Sequence, residues 1–372
     1  ALSRVMAMSS TFWQMIMQER PTPRGAYVLD RGQYDQRKDK VEPAVPAFLP
    51  DLPKGPGNRL TFAKWLFLPD HPLTSRVTVN RFWQQLFGTG ICKTSDDFGS
   101  QSEFPSHPQL LDHLAYKFMN EGWDVKKLMK YMLMSASYRQ DSFVSDKKLE
   151  IDPYNRLISR GPRFRLDAEM IRDNALKSSG LLVEKVGGKS VKPYQPEGIW
   201  NAVAYSGSNT RYFKQESGES LYRRSMYTFL KRTAPAPMMS NFDAPNRETC
   251  TVRRERTNTP LQALQLMNDV QYLEASRHLA TKALQTQGDN NDKIKKAFRK
   301  VTSRFPNKEE LIIMSEVLQA HHKHFEVNAN EAKELIAHGE SKVPKDIDSN
   351  ELAAWTMLCS QLYNLDEAIT KE

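Results

Sequence analysis

The sequence predicts a mainly α-helical fold with a few short β-strands, built as a helical N-terminal part, a mixed central part and a C-terminal helical bundle. Apolar residues recur at helical spacing in stretches such as Leu110, Leu111, Leu114, Phe118 and Leu352, Trp355, Cys359, Leu362. Capping residues stand ahead of several of these stripes. The best strand candidate is Ser225-Met-Tyr-Thr-Phe-Leu230, which is β-prone and bounded by Arg223-Arg224 before it and Pro235-Ala-Pro237 after it. With 372 residues, 39% of them apolar, the chain can form more than one compact unit.

The elements divide into four regions. Residues 1–58 read as an extended, proline-rich linking or wrapping segment. Residues 59–145 form a helical subdomain. Phe62, Trp65 and Leu66 mark one short helix, and Val77 to Phe87 mark a second that Gly88 and Gly90 end. Ser106-His-Pro108-Gln109 has the form of a capping box, Gly122 stops the helix it starts, and Asp124 caps a third helix. Residues 146–290 are a mixed central subdomain holding the helix that begins at Asp167 and a long helix from Pro260 to about Gln285. Thr259 at its N-cap, Pro260 at its first position and Gln262 complete its start signal. The polar break Gly288-Asp-Asn-Asn-Asp292 leads into the bundle, residues 291–372, where Asn307 and Glu310 form another capping box.

The net charge of +9 is uneven. Residues 211–256 hold ten Lys or Arg against five Asp or Glu, whereas residues 291–372 hold twelve against fourteen. The primary candidate site is therefore the cluster Arg223, Arg224, Asp243, Cys250, Arg253, Arg254, Arg256 and Asn258, which leads into the Pro260 helix start. Guanidinium groups bind carboxylate, sulfate or phosphate as a planar fork, and a helix N-terminus favours an anion. The same arginines also fit an internal network with Asp243, Glu248 and Glu255, which is the commoner use of such groups. A secondary candidate joins Asp96, Asp97, Ser106 and His107, carboxylates upstream of a histidine at a helix start, for acid-base chemistry. Capping and a turn explain the same residues.

Other signals exclude whole classes. Cys92, Cys250 and Cys359 are widely spaced, so no disulfide framework, zinc ribbon or haem-attachment motif is present in the sequence. Cys359 reads as core, and Cys250 reads as a buried thiol in preference to a reactive thiolate among arginines. His321, His322 and His324 read as a solvated face, and no metal site is assigned. Asp97-Phe-Gly99 and Gly188-Lys-Ser190 match fragments of kinase and phosphate-loop motifs without their required context. The basic charge has no recognised nucleic-acid motif with it, so no nucleic-acid partner is expected. Mean hydropathy is -0.62, and no apolar run reaches the ~20 residues of a membrane span. The first residues lack a signal peptide, and the piece reads as an internal or C-terminal fragment of a longer chain.

The motifs Asn80-Arg-Phe-Trp83, Thr94-Ser-Asp-Asp-Phe-Gly99, Pro105-Ser-His-Pro108, Tyr138-Arg-Gln140, Arg163 to Asp173, Tyr222-Arg-Arg-Ser225, Phe242-Asp-Ala-Pro245, Thr257 to Leu264 and Asn364-Leu-Asp-Glu367 occur in this order. On these residues the chain, from about Arg24 onward, resembles the planctomycete-specific domain family, catalogued as a domain of unknown function. The resemblance implies a large secreted or cell-envelope parent in which this domain follows a cytochrome c domain. A c-type haem is then expected upstream, with no cofactor in this fragment. Genes of the family often neighbour sulfatase-like proteins, so the implied partners are the upstream cytochrome domains and an anionic or sulfated polysaccharide. Two functions follow as expectations: the substrate or partner domain of a haem-linked oxidoreductase, or a non-catalytic glycan- or protein-binding scaffold. Ser303 stands where the family leads one to expect glycine.

Overall fold

The computed structural model describes residues 15–22 and 24–371. The fold is mainly helical, with fifteen α-helices and two small two-stranded sheets among the described residues. The described residues form two compact units, divided between Ser75 and Arg76.

In the first unit, the stretch read as extended contains an antiparallel hairpin, β1 (Ala26–Leu29) with β2 (Arg37–Val41), paired Ala26 to Val41. Its strands are exposed on both faces. Helix α1 (Arg59–Leu66) starts at Asn58, whose side chain accepts from the Thr61 amide at 3.1 Å. Trp65 anchors the helix: it is 5% exposed, its indole donates to the Pro50 carbonyl at 2.6 Å, and its ring meets His71 edge-on. An indole that buries its face while its N–H finds a carbonyl loses no hydrogen bond.

The second unit holds two apolar clusters. Helices α2 (Thr74–Phe87), α3 (Pro108–Asn120) and α4 (Val125–Leu133) enclose Val79, Trp83, Ile91, Leu114, Phe118, Leu128 and Met132. Asp124 caps α4 as its sequence indicates. The start of α3 differs from expectation: His107 is the N-cap and makes no side-chain cap, and Ser106, in place of capping, donates its hydroxyl back to the Ile91 carbonyl at 3.3 Å.

A short helix α5 (Asp146–Ile151) leads to β3 (Phe164–Arg165) and α6 (Ala168–Ser179). Then come α7 (Ile199–Val203), α8 (Pro237–Ser240), α9 (Pro260–Asn268) and α10 (Val270–Leu284). The bundle adds α11 (Asn290–Thr302), α12 (Lys308–Val327), α13 (Ala329–Ile336), α14 (Ser349–Tyr363) and α15 (Asp366–Ile369). Helix α14 is its axis. Leu352, Ala353, Ala354, Trp355, Leu358 and Cys359 are fully buried, and α14 packs on α10, α12 and α13. A helix that is apolar on most of its circumference belongs in a core. The capping boxes at Thr259/Gln262 and Asn307/Glu310 are both formed.

Two expectations are corrected. The run Ser225 to Leu230 is not a strand: Ser225–Tyr227 is a single 3-10 turn, and only an isolated parallel bridge joins Thr228 to Val191. Its β-prone side chains find no neighbouring strand to complete a ladder. The helix expected from Pro260 to about Gln285 is two helices. Asp269 adopts an extended conformation (φ -71°, ψ 132°) as both the end of α9 and the N-cap of α10, where its carboxylate accepts from the Gln271 amide at 2.9 Å. A short acidic side chain that bonds its own backbone competes with helix continuation.

Helix α10 carries a fully buried ion pair. Glu274 accepts from Tyr194 at 3.0 Å, Tyr222 at 2.9 Å and the Ser341 amide at 2.6 Å, and lies 3.7 Å from Arg277. Arg277 donates to the carbonyls of Ile336, His338 and Ser341, so the pair fastens α10 to the chain beyond α13.

Ser303 ends α11 in the left-handed conformation, φ 68°. That conformation costs an L-residue about 1 kcal/mol and costs glycine nothing. Ser303→Gly is therefore expected to raise stability by about 1 kcal/mol, read as a higher urea midpoint at unchanged slope.

Candidate functional site

The centre of the site is Arg256, which lies between two adjoining clefts. The first, about 270 Å³, is lined by Trp83, Phe87, Gly88, Gly90, Ser106, Tyr154, Asn155, Arg156, Ile158, Arg163, Phe164 and Arg256, with Thr89 and Pro162. The second, about 470 Å³, is lined by Phe164, Arg165, Arg256, Thr257, Asn258, Thr259, Gln262 and Ala263, and by Asn364, Asp366, Ile369 and Thr370. Arg256 stacks on Phe164 with its guanidinium carbon 4.3 Å from the ring centre and donates to the Gly88 carbonyl at 3.2 Å.

Each wall has a local cause. Asn80, fully buried on α2, clamps the turn after the helix by donating to the Cys92 carbonyl and accepting from the Cys92 amide, both at 2.9 Å. A side chain at Gly90 would collide with Asn80 and with the Cys92 carbonyl, so only glycine fits there. The opposite wall is the loop after α5. Buried Asp152 accepts from the amides of Arg156 at 2.7 Å and Leu157 at 2.8 Å, and Arg160 donates to the Asp152 and Pro153 carbonyls. Within that loop Asn155 (φ 51°) and Ile158 (φ 57°) are left-handed, and both line the first cleft. A β-branched residue in that region is a true outlier, held at a cost of about 1–3 kcal/mol by its surroundings. Arg156 ties the two walls together by donating to the carbonyls of Gly90 at 2.8 Å and Ile91 at 3.1 Å.

The floor is aromatic. Trp83 and Phe87 stack in parallel at 3.9 Å, and Tyr154 stands at the mouth, 84% exposed. Phe164 reaches the site because β3 pairs antiparallel with β4 (Thr370–Lys371), Phe164 opposite Lys371. Asp366, just before β4, forms an ion pair with Arg163, both side chains being 58% exposed.

The sequence-derived candidates separate. Arg256 and Asn258 line the clefts, and Ser106 of the secondary group joins them. Asp243 stands behind the wall: it pairs with Arg165 and accepts from the Thr257 amide at 2.8 Å, fixing the residue beside Arg256. Burial lowers the pKa of Arg165, a shift that its partner Asp243 opposes. Arg254 grips Glu169 with both guanidinium nitrogens, at 2.5 and 3.1 Å. Burial pushes the Glu169 carboxyl up, but the Arg254 bonds hold it below the ordinary range. Arg223 is internal. It donates to the carbonyls of Lys185, Gly187 and Lys189 and stacks 3.8 Å from the Tyr227 ring centre. Arg224 reaches Asp173 at 3.7 Å, and Arg253 is exposed outside both clefts.

The expected internal network is thus real but differently partnered. Its carboxylates are Asp167, Glu169, Asp173 and Asp243, while Glu248 meets Arg232 at 3.8 Å. Cys250 is exposed, correcting its reading as a buried thiol, because the loop carrying it turns outward and contributes nothing to either apolar cluster. Cys359 is buried as its stripe indicates. Asp97 accepts from the Gly99 amide at 2.6 Å in a turn, Asp96 is exposed, and His107 lies one bond behind the cleft, 3.0 Å from the Ser106 hydroxyl. Among the described residues no three His, Cys, Asp or Glu converge to hold a metal, and no helix is long and apolar enough to cross a membrane.

The family model described as PSD1, protein of unknown function (DUF1553), matches residues 58–318. The chain belongs to the PSD1 family. Neither a curated protein nor a solved structure gives a match. The first cleft of this PSD1 domain lies wholly within the matched residues, whereas Asn364, Asp366, Ile369 and Thr370 of the second lie beyond them.

Sequence reasoning missed Arg156, Tyr154 and the use of Trp83 and Phe87. The Asp152-Pro-Tyr-Asn155 run was the available signal, since Asp-Pro starts turns and Asn tolerates the left-handed region. Gly88 makes the geometry testable. Its φ is 80°, and an added Cβ would lie 2.7 Å from the Phe164 ring, whereas Gly122 (φ 73°) has open space. Gly88→Ala and Gly122→Ala should each lose about 1–2 kcal/mol in thermal unfolding from backbone strain. Only Gly88→Ala should also displace Phe164 and weaken ligand binding at the cleft.

Proposed function

We propose that this PSD1 domain is an anion-binding module that holds an acidic polysaccharide, within a larger extracytoplasmic, cytochrome c-linked protein. One observation carries the reading: the first cleft is lined by three guanidinium groups over an aromatic floor, with no carboxylate among its lining residues. Arg156 and Arg256 donate to carbonyls, so their charge is not matched by a carboxylate bond. Arginine forks suit sulfate and carboxylate, and stacked rings suit the apolar face of a sugar. The lining also lacks the imidazole or carboxylate pair that acid-base turnover uses, which favours holding over cleaving.

The test is saturable binding of the purified protein to sulfated, carboxylated and neutral polysaccharides at two salt concentrations. Selective binding to the acidic ones, weakened by salt and retained in Arg253→Ala, supports the module. Equal binding to neutral and acidic polymers would overturn it. An equimolar complex with the haem-bearing cytochrome domain, in place of glycan binding, would instead favour a protein partner.

A further inference from the structure

The two clefts are one trough divided by the stacked Phe164–Arg256 pair, since both residues line each side. Their charges differ. The first carries Arg156 and Arg256, which donate to backbone carbonyls, and Arg163, which pairs with Asp366. Beyond the shared Arg256, the second has Arg165, whose charge Asp243 pairs, and Asp366, whose carboxylate pairs with Arg163 and accepts from the Thr370 hydroxyl at 3.2 Å, so that its remaining polar groups are the neutral amides of Asn258 and Asn364. A paired carboxylate still only accepts hydrogen bonds, so it takes sugar hydroxyls and offers a sulfate no donor. The Arg163–Asp366 pair fixes that carboxylate at the divide.

We infer that the ligand is an extended polysaccharide segment of alternating charge, with an anionic unit in the first cleft and a neutral unit in the second. The inference rests on the anion-binding reading and adds length and charge pattern to it. The second cleft, about 470 Å³, lies within the ordinary volume range of small-ligand sites, about 300–1,000 Å³, and so has room for a further sugar ring.

Calorimetric titration tests this with three probes: a galactose monosulfate, an alternately sulfated tetrasaccharide of the κ-carrageenan type, and a tetrasaccharide sulfated on every ring. The alternately sulfated chain should bind at least about tenfold more tightly than the monosulfate, and more tightly than the fully sulfated chain at equal ionic strength. An Asn258→Ala, Asn364→Ala double variant should bring the ratio of tetrasaccharide to monosulfate affinity toward one. Because Asn364 also donates to the Ala263 carbonyl, Asn258→Ala alone serves if the double variant misfolds. Asp366→Asn should shift preference toward the fully sulfated chain. A monosulfate that binds saturably and as tightly as the tetrasaccharide overturns the inference but leaves the anion site standing. Tighter binding of the fully sulfated chain by the unaltered protein overturns the charge pattern in the same way. If no sulfated sugar binds, the anion-binding reading fails and this inference with it.

Discussion

Glu274→Ala is expected to lower stability by about 3–5 kcal/mol, the loss typical when one partner of a buried ion pair is removed. Glu274 is wholly inside α10, and its carboxylate collects two phenols, one amide and the Arg277 guanidinium. Without it, Arg277 keeps carbonyl acceptors but loses its counter-charge, and Tyr194 and Tyr222 lose their acceptor. Chemical denaturation gives the value. A loss under 1 kcal/mol would mean that water or a rearranged loop replaces the carboxylate.

The same carboxylate sets an alkaline limit. Burial, reinforced by Glu274, raises the Tyr194 phenol from its ordinary value of 10.0 to about 12. The neutral form is favoured in the folded state, so this contribution is complete below the unfolded value and fades as pH rises from the unfolded to the folded one. Folding stability should therefore drop between about pH 10 and about pH 12, with less of that drop in Glu274→Ala, because part of the upward shift is gone. Tyrosinate absorbance followed alongside unfolding checks both signs.

The second large effect is on binding. The Arg156→Ala, Arg256→Ala double variant should bind acidic polysaccharide at least about a hundredfold more weakly in low salt, since each charge-assisted contact contributes about 1.5–3 kcal/mol. Arg156 also braces the Gly90–Ile91 rim, so part of its loss is structural. Arg156→Lys separates the two contributions. It keeps the charge but not the fork, and should recover some salt-dependent affinity without the selectivity. Binding unchanged in the double variant would move the anion site elsewhere.

What the sequence disclosed was local. Thr259 with Gln262, Asn307 with Glu310, and Asp124 each satisfy nearby amides, so their caps can be read from a few residues and all are formed. Asp269 carried the same kind of signal, but the apolar period running through Leu266 and Tyr272 concealed the break. Arg256 and Asn258 were legible because charge clusters in the sequence just ahead of a helix start. Arg156 was not, because its place beside Arg256 depends on a loop held by Asp152 and on a rim held by Asn80. Nor could spacing pair Arg254 with Glu169 or Asp243 with Arg165, partners brought together by the packing of α6 against α8.

Arg163 and Asp366 stand 203 positions apart in the chain, yet their ion pair and the adjoining β3–β4 ladder form the divide between the clefts. A ribosome adding about 5–20 residues per second would need roughly 10–40 s to travel from one to the other. For all that time Phe164 waits without its partner strand, and α14, the axis of the bundle, is itself finished only at Tyr363. The divide of the trough is thus completed after the core helices, and a nascent chain halted between Tyr363 and Asp366 would hold every helix through α14 without the Arg163–Asp366 pair or the β3–β4 ladder.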